Sequence, residues 1–371
     1  MFKKAILVIS MVSVSLLLPA QKIVVGSCYT HDGGLYKGEM QSGRPHGKGQ
    51  TSYGNGDNYE GEYVKGRRQG DGTCLFANGE RYEGTWYRDQ KHGVGTYFYA
   101  NNNKYVGAWY QDEQDGKGTM FYFNGDQYEG EWDKNKRVGK GRYTFASGAY
   151  YDGSWREDKK NGKGVFMWSD GTKYDGLWQN DVRQGKGVYN YSNGDVYSGD
   201  WRNDLQNGRG VYKFANGDVY EGQYVEGMRS GDGILRYANG DRYTGHFLNG
   251  DKDGQGTLVW VNGDSYTGSW KNDMENGQGK LVKKNGDRFE GTFKDGNVDG
   301  EIIIHYVDGS RFRGIYKNGK RNGKAIEEDK DGLRFEGSYV NDRRDGAFVE
   351  KDRNGQIVKK GNYQKGVRYE D

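Results

Sequence analysis

The sequence predicts an all-β protein: an elongated, single-layer antiparallel sheet of consecutive β-hairpins, open at its ends and twisted or curled. Three observations lead there. An aromatic-x-Gly triplet returns fourteen times at a strict spacing of 23 residues, at Tyr36, Tyr59, Tyr82, Tyr105, Tyr128, Tyr151, Tyr174, Tyr197, Tyr220, Tyr243, Tyr266, Phe289, Phe312 and Phe335. A turn glycine recurs once in each period, almost always after Asn or Asp. Around it, aromatic residues or glycines alternate with polar ones. A fixed period of this length marks a repeat array, in which each unit buries its apolar face only against its neighbours.

Composition supports a thin architecture. Across 371 residues, 33% are hydrophobic and the mean hydropathy is −1.07, too polar for compact cores of that size. Yet 15% are aromatic, with 31 Tyr and 9 Trp, too many for a disordered chain. A single layer with half-buried aromatics reconciles the two. Pro19 and Pro45 are the only prolines, so no Pro-rich linker divides the chain. The formal charge of +3 falls to +1 without Lys3 and Lys4. A nucleic-acid partner needs a concentrated basic face, and none is expected here.

Residues 1–20 are a different material. Lys3 and Lys4 precede the apolar run Ala5 to Leu18, which ends in Pro19-Ala20 and gives way to Gln21-Lys22. This pattern reads as a secretory signal peptide, too short to span a membrane comfortably. The expected location is exported: periplasm, cell envelope or secreted. A lipoprotein signal or a retained anchor is the alternative, since Val25-Gly26-Ser27-Cys28 loosely matches a lipobox. Lys22 counts against lipidation, and so does register. Gly26, Cys28 and Gly33 stand 23 residues before Gly49, Thr51 and Gly56, so they form a leading half-repeat. Cys28 and Cys74 are equivalent positions two repeats apart, about 19 Å across four strand spacings. A disulfide requires Cα atoms within about 7 Å, so no bridge between them is expected.

One repeat shows the logic. Gly70-Asp71-Gly72 opens the unit and Thr73 to Ala77 is a short apolar segment. Asn78-Gly79 follows, then Glu80-Arg81-Tyr82-Glu83-Gly84-Thr85-Trp86 alternates. Alternation on both sides of Asn-Gly is a β-hairpin signal. Only Asn102 breaks the row of turn glycines, and only Ser147 replaces the preceding Asn or Asp. Tyr82, Gly84 and Trp86 should share one face, with the glycine leaving room for a neighbouring ring. A two-residue loop would pair Phe76 with Arg81 and put it opposite Tyr82. An odd loop with a bulge at Gly79 would pair Phe76 with Tyr82. The second is favoured, because it gathers both aromatic rows on one face. Repeats joined edge to edge make about 28 strands.

Catalytic and cofactor chemistry finds little support. His31, His46, His92, His246 and His305 are scattered without metal-ligand spacing, and His46 and His92 read as solvated loop residues. Gly116-Lys117-Gly118 and its equivalents lack the following Ser or Thr of a phosphate loop. The Gly-x-Gly pairs lack the βαβ context of a dinucleotide site. The turn carboxylates Asp57, Glu80, Asp126, Asp195, Asp218, Asp241, Asp264 and Asp287 form a row. Successive members should lie about 10 Å apart, too far to share a calcium ion, so turn and solubility roles are expected. The opposite edge carries Arg67-Arg68, Lys134 to Arg137, Lys159-Lys160 and Lys320-Arg321, interleaved with acids such as Asp112 and Glu113. It is not the uniformly basic edge a membrane would favour. Neither a metal nor another cofactor is expected.

The unit Gly-x-Gly, Asn-Gly-Asp, Tyr-x-Gly-x-Trp resembles the MORN repeat (membrane occupation and recognition nexus). The closest stretch is 125–141, Gly-Asp-Gln-Tyr-Glu-Gly-Glu-Trp followed by Gly139-Lys140-Gly141. The resemblance covers residues 26–361, leaving 362–371 as a C-terminal tail. Departures lie at the ends: Met40 replaces an aromatic, Gly-x-Gly becomes Gly300-Glu301-Ile302, Gly323-Lys324-Ala325 and Gly346-Ala347-Phe348, and one residue is inserted before Gly361. The resemblance implies elongated sheets that act as interaction or membrane-association modules, with no catalytic domain here. The expected function is a non-catalytic scaffold that binds a protein partner or itself through the aromatic and Gly-lined face. A membrane-lipid or polysaccharide-binding module is the alternative. The expected contact residues are Tyr82, Trp86, Tyr105, Trp109, Tyr128, Trp132, Tyr151, Trp155, Tyr174, Trp178, Tyr197 and Trp201. The competing reading is that these rings only pack on neighbouring strands.

Overall fold

A computed structural model describes residues 22–369, so the expected signal peptide lies outside the described residues. These residues form 32 strands and no helix. Contacts group the described residues into two compact units, one running up to Ala146 with Arg156–Asp158, and one of Ser147–Trp155 with the residues from Lys159 onward. In the first unit, successive strands from β1 (Val24–Tyr29) to β11 (Lys136–Thr144) pair antiparallel in sequence order. The second repeats this from β13 (Lys159–Met167) to β28 (Arg334–Val340), which pairs with both β29 (Arg343–Arg344) and β30 (Gly346–Lys351), and β30 leads on in order to β32 (Val367–Tyr369). Strand β12 (Tyr150–Arg156) straddles the boundary between them. Each unit is a single open layer whose end strands do not pair with one another.

The repeat length follows from the parts. Strand β5 (Arg67–Leu75) has 9 residues and β6 (Arg81–Tyr87) has 7. Phe76 to Glu80 connect them, and Arg88-Asp89 lead into β7 (Gln90–Phe98). The first connection is an odd, three-residue loop. Phe76 N–H donates to the Glu80 carbonyl and Gly79 N–H to the Phe76 carbonyl, each at 2.9 Å. Gly79 has φ +87°, and Asn102 holds the equivalent position at φ +65°. The expected bulged loop and shared face are therefore present, but Cys74 faces Tyr82 while Phe76 faces Glu80.

The second connection is itself a hairpin, where the sequence suggested only a polar stretch. Arg88 and Asp89 both have positive φ, +50° and +73°, which is a type I′ turn matching the strand twist. A bulge follows, because Thr85 alone lies between the pairs Gly84↔Gly95 and Trp86↔Lys91. Strands beyond the expected 28 come from the leading half-repeat and the C-terminal segment. The expected tail at 362–371 instead continues the sheet as far as Tyr369: β31 (Ile357–Gln364) pairs with β32. The extra residue before Gly361 is taken up where the register shifts, between Glu350↔Lys359 and Lys351↔Ile357.

One contact recurs throughout. Central glycines face each other across strands, as in Gly164↔Gly176 and Gly176↔Gly187. A Cβ built at Gly187 would lie 2.4 Å from the Tyr174 hydroxyl and 2.5 Å from its ring, and one at Gly176 would lie 2.6 Å from the Gly187 Cα. The tyrosine ring fills the space that side chains would have taken. Overpacking of this kind costs about 1–3 kcal/mol or more. Gly187→Ala should therefore lower stability by about 2 kcal/mol or more, read as a shift of the urea midpoint. Gly54→Ala, where nothing lies within 4 Å of the new methyl, should stay within about 0.5 kcal/mol. Equal shifts for the two variants would contradict this packing.

Candidate interaction face

Strand alternation gives each unit two unlike faces. On the ring face, the tyrosine of each Tyr-x-Gly triplet from Tyr36 to Tyr266 donates its hydroxyl to the backbone carbonyl three residues on, as Tyr174 does to Leu177 at 3.0 Å. Trp86, Trp109, Trp132, Trp178, Trp201 and Trp270 then fit edge-on between two tyrosines each. Trp86 lies 5.2 Å from both Tyr59 and Tyr82, with ring planes 86° apart. Its indole N–H donates to the Gly72 carbonyl at 3.1 Å, and Trp109, Trp132, Trp178, Trp201 and Trp270 each make the same bond to the glycine 14 residues before them. T-shaped aromatic pairs add stabilisation beyond area burial, and a buried indole needs this partner. Burial also pushes the phenol pKa values up, to about 12 for Tyr36, Tyr220 and Tyr266.

A cation closes the outer side of the Trp row. Lys91 Nζ sits 4.6 Å from the Trp109 ring, Lys160 4.3 Å from Trp178 and Arg183 4.5 Å from Trp201. Burial lowers the pKa of Lys91 and Lys160. The backbone N–H of each cation residue donates to the turn carboxylate of the following repeat: Arg68 to Asp89 at 2.8 Å, Lys160 to Asp181 at 2.9 Å, Arg183 to Asp204 at 2.8 Å. Four of the cations read from the sequence as an exposed basic edge, Arg68, Arg137, Lys160 and Arg321, are thus turned onto rings. Their neighbours Arg67, Lys136, Lys159 and Lys320 remain exposed.

The opposite edge is stapled in the same manner. Asp195 Oδ1 accepts the Ala215 N–H at 2.7 Å, and its Oδ2 accepts the Tyr212 hydroxyl at 2.7 Å. Asp57, Asp126, Asp218, Asp241, Asp264 and Asp287 accept the equivalent N–H one repeat on. These carboxylates join repeats, a role beyond the turn and solubility chemistry expected of them. Among the described residues, no group of three or more His, Cys, Asp or Glu is placed to hold a metal. His92 lies within β7, between the rings of Tyr87 and Tyr110, and is not a loop residue.

The twelve contact residues expected from the sequence are placed together, but in the core. Tyr82, Tyr105, Tyr128, Tyr174 and Tyr197 are 0% exposed and Tyr151 1%, while Trp86, Trp109, Trp132, Trp155, Trp178 and Trp201 reach at most 7%. The expectation that they form the contact surface is corrected: tyrosines fill the glycine row, and the tryptophans are closed off between tyrosines and cations. A further row of rings on this face is Tyr53, Phe76, Tyr99, Tyr122 and Phe145 in the first unit and Trp168, Tyr191, Phe214, Tyr237 and Trp260 in the second, more open to solvent than the inner Tyr and Trp rows. All are half-buried. They interleave with the equally half-buried rings Phe166, Tyr189 and Tyr212 beside them, as Phe166–Trp168 at 4.4 Å, Trp168–Tyr189 at 5.5 Å, Tyr189–Tyr191 at 4.5 Å and Tyr212–Phe214 at 4.5 Å. A signal existed: these residues end the apolar segment of each repeat at the same 23-residue spacing. The reverse face mixes charged side chains with exposed aliphatic ones such as Val94, Leu177 and Ile315. In the second unit it carries a groove of about 950 Å³, lined in part by Lys163, Asp175, Val188, Arg209, Glu221 and Ile234.

The chain belongs to the MORN repeat family. The family model matches eleven contiguous 23-residue windows, from 36–58 to 266–288, and a twelfth at 312–334. The unmatched window at 289–311 contains Phe289 and Ile302 in place of the usual Tyr and Gly. No curated protein matches the chain. Among solved structures, the TCP10 domain of Danio rerio CPAP is similar at 15% identity, covering 54% of this chain and 99% of that one, with a TM-score of 0.32. The TCP10c domain of Drosophila melanogaster Sas-4 follows at 15% identity, 48% and 93% coverage and a TM-score of 0.22. A streptogramin B lyase matches at 12% identity, 85% and 94% coverage and a TM-score of 0.13. Likenesses this slight carry no argument about function.

The edge carboxylates make stability depend on pH. Asp195 is held below its usual pKa by the Ala215 N–H, then the Tyr212 hydroxyl; Glu80 by Tyr97; Asp264 by Lys283. A folded-state pKa below the unfolded one stabilises above the unfolded value, and that stability is lost as pH falls through the folded one. The urea midpoint should be level from pH about 8 to 5 and fall below pH about 4, where unfolded carboxylates take up protons. A midpoint level down to pH about 3 would contradict the stapling role.

Proposed function

We propose that the protein is a non-catalytic scaffold that binds a protein partner, or a second copy of itself, through the outer aromatic row of the ring face. The observation that carries this is the uninterrupted row Trp168, Tyr191, Phe214, Tyr237 and Trp260 at the surface of the second unit, all half-buried. Tyr and Trp are enriched at interfaces because they offer large rigid contact area with a polar handle. The inner Tyr and Trp rows support the reading indirectly, by holding the outer rings at a fixed spacing. An exported setting is part of the proposal, resting on the charged start and apolar run of residues 1–20. Fractionation showing the protein confined to the cytosol would remove that part.

A W168A/F214A/W260A variant should lose partner capture or self-association, read by crosslinking and light scattering, while keeping its β-sheet circular dichroism. Hydroxyl-radical footprinting of the unaltered protein provides a check that does not depend on the variant folding. Oxidation of Trp168 and Trp260 should drop when the partner is bound. Unchanged capture by the variant, or unchanged oxidation in the complex, would contradict this face. Binding only to liposomes or glycans would favour the lipid or polysaccharide alternative.

A further inference from the structure

The outer aromatic row of the second unit has a spacing, a chemistry and a charged border that together select one kind of ligand. Resting on the proposed function, we infer that this row is a docking track for a basic, proline-rich segment in the polyproline II conformation. Such a segment would lie across the strands, with every third residue over one ring.

Spacing is the first argument. Equivalent residues of consecutive repeats are two strands apart, about 9.6 Å at ordinary strand separation. A polyproline II helix has three residues per turn at about 3.1 Å each, so its side chains return to one side every 9.3 Å or so. Over the four intervals from Trp168 to Trp260 the two periods drift apart by only about 1 Å. An extended β-strand returns to one side about every 6.7 Å and an α-helix about every 5.4 Å, and neither stays in step.

Chemistry is the second. Aromatic-lined surfaces favour proline-rich segments because the ring faces pack on pyrrolidine and the ligand has little conformational entropy left to lose. The rings here are held on both sides, which keeps the track rigid. Tyr191 accepts a hydrogen bond from Gln206 Nε2 at 3.1 Å, and Tyr237 lies 3.5 Å from Lys252 Nζ.

Charge is the third. The loops that border the track, 168–172, 191–195, 214–218, 237–241 and 260–264, contain Asp170, Asp195, Asp218, Asp241 and Asp264 and no Lys or Arg. Lys283 meets Asp264 at 2.9 Å and closes the row at that end. A ligand with Lys or Arg in every third position would place its cations along this border while its prolines cover the rings.

The test uses the full chain and fluorescent peptides of five Pro-Pro-Arg triplets. Binding should saturate and weaken with added salt. Five Pro-Pro-Glu triplets keep the helix and invert the charge; five Gly-Ser-Arg triplets keep the charge and lose the helix. Each should bind about tenfold more weakly or worse. A D195N/D218N/D241N variant should lose affinity for Pro-Pro-Arg several-fold while keeping its β-sheet circular dichroism, its urea midpoint lowered by the loss of the ionised staples. Asn already serves at this position, since Asn103 Oδ1 accepts the Phe123 N–H at 2.9 Å. Equal binding of Pro-Pro-Arg and Gly-Ser-Arg peptides, or no binding of either, would overturn the inference. Partner capture that still depended on Trp168, Phe214 and Trp260 would then leave the broader scaffold reading standing.

Discussion

A tyrosine ring laid over two facing glycines is the contact on which the structure depends. Neighbouring strands approach so closely at the glycine row that a methyl on either would strike backbone or ring. Tyr174 occupies that space, covers Gly176 and Gly187, and ties its hydroxyl to Leu177. The tryptophans and cations then build outward from it. The chain contains its own variation on the theme. Where the second glycine becomes Ile302, Ala325 or Phe348, the residue across from its strand is Phe289, Phe312 or Phe335, without a hydroxyl. Phe335 and Phe348 stack at 5.7 Å instead. Ring and glycine change together because they share one volume.

The strict spacing has a physical cause in the two edges. Many repeats hand a neighbour an Asp at the three-residue loop, at the type I′ turn or at both, aimed at a backbone N–H, as Asp195 accepts from Ala215 and Asp204 from Arg183. Inserting a residue between them would move one acceptor off its donor and turn the ring row to the other face. Where a residue is added, near Val358, the register shift takes it up beyond the regular repeats. Every stabilising contact described is local to one repeat or joins consecutive repeats, as a quasi-one-dimensional array requires.

Much of this was legible in the sequence, because alternation, turn glycines and the constant period all pointed to one answer. The type I′ turn was only partly so: Asn249-Gly250 and Asn318-Gly319 carry its Asn-Gly signal, but most repeats lack it. Arg88-Asp89 carries none of the usual Asn-Gly signal and takes positive φ only because the flanking strands impose it. The depth of the aromatic rows was not. Tyr82 and Phe76 share a face, but which lies beneath depends on the direction each ring folds, and a linear pattern does not encode that. The basic pairs misled for a related reason. Arg67 and Arg68 are adjacent in sequence, yet one is solvated and the other lies over Trp86 at 4.4 Å. Alternation separates them, and only the cross-strand partner shows where the second one goes.

The central claim is that the Tyr ring and the glycine row are energetically one unit, and a double-mutant cycle on Tyr174→Phe and Gly187→Ala tests it most directly. Both groups contact each other, so the two effects should fail to add by about 1 kcal/mol or more, with Phe relieving part of the cost of Ala. Strict additivity within about 0.3 kcal/mol would show that the ring and the glycines stabilise the sheet independently, and would contradict the account.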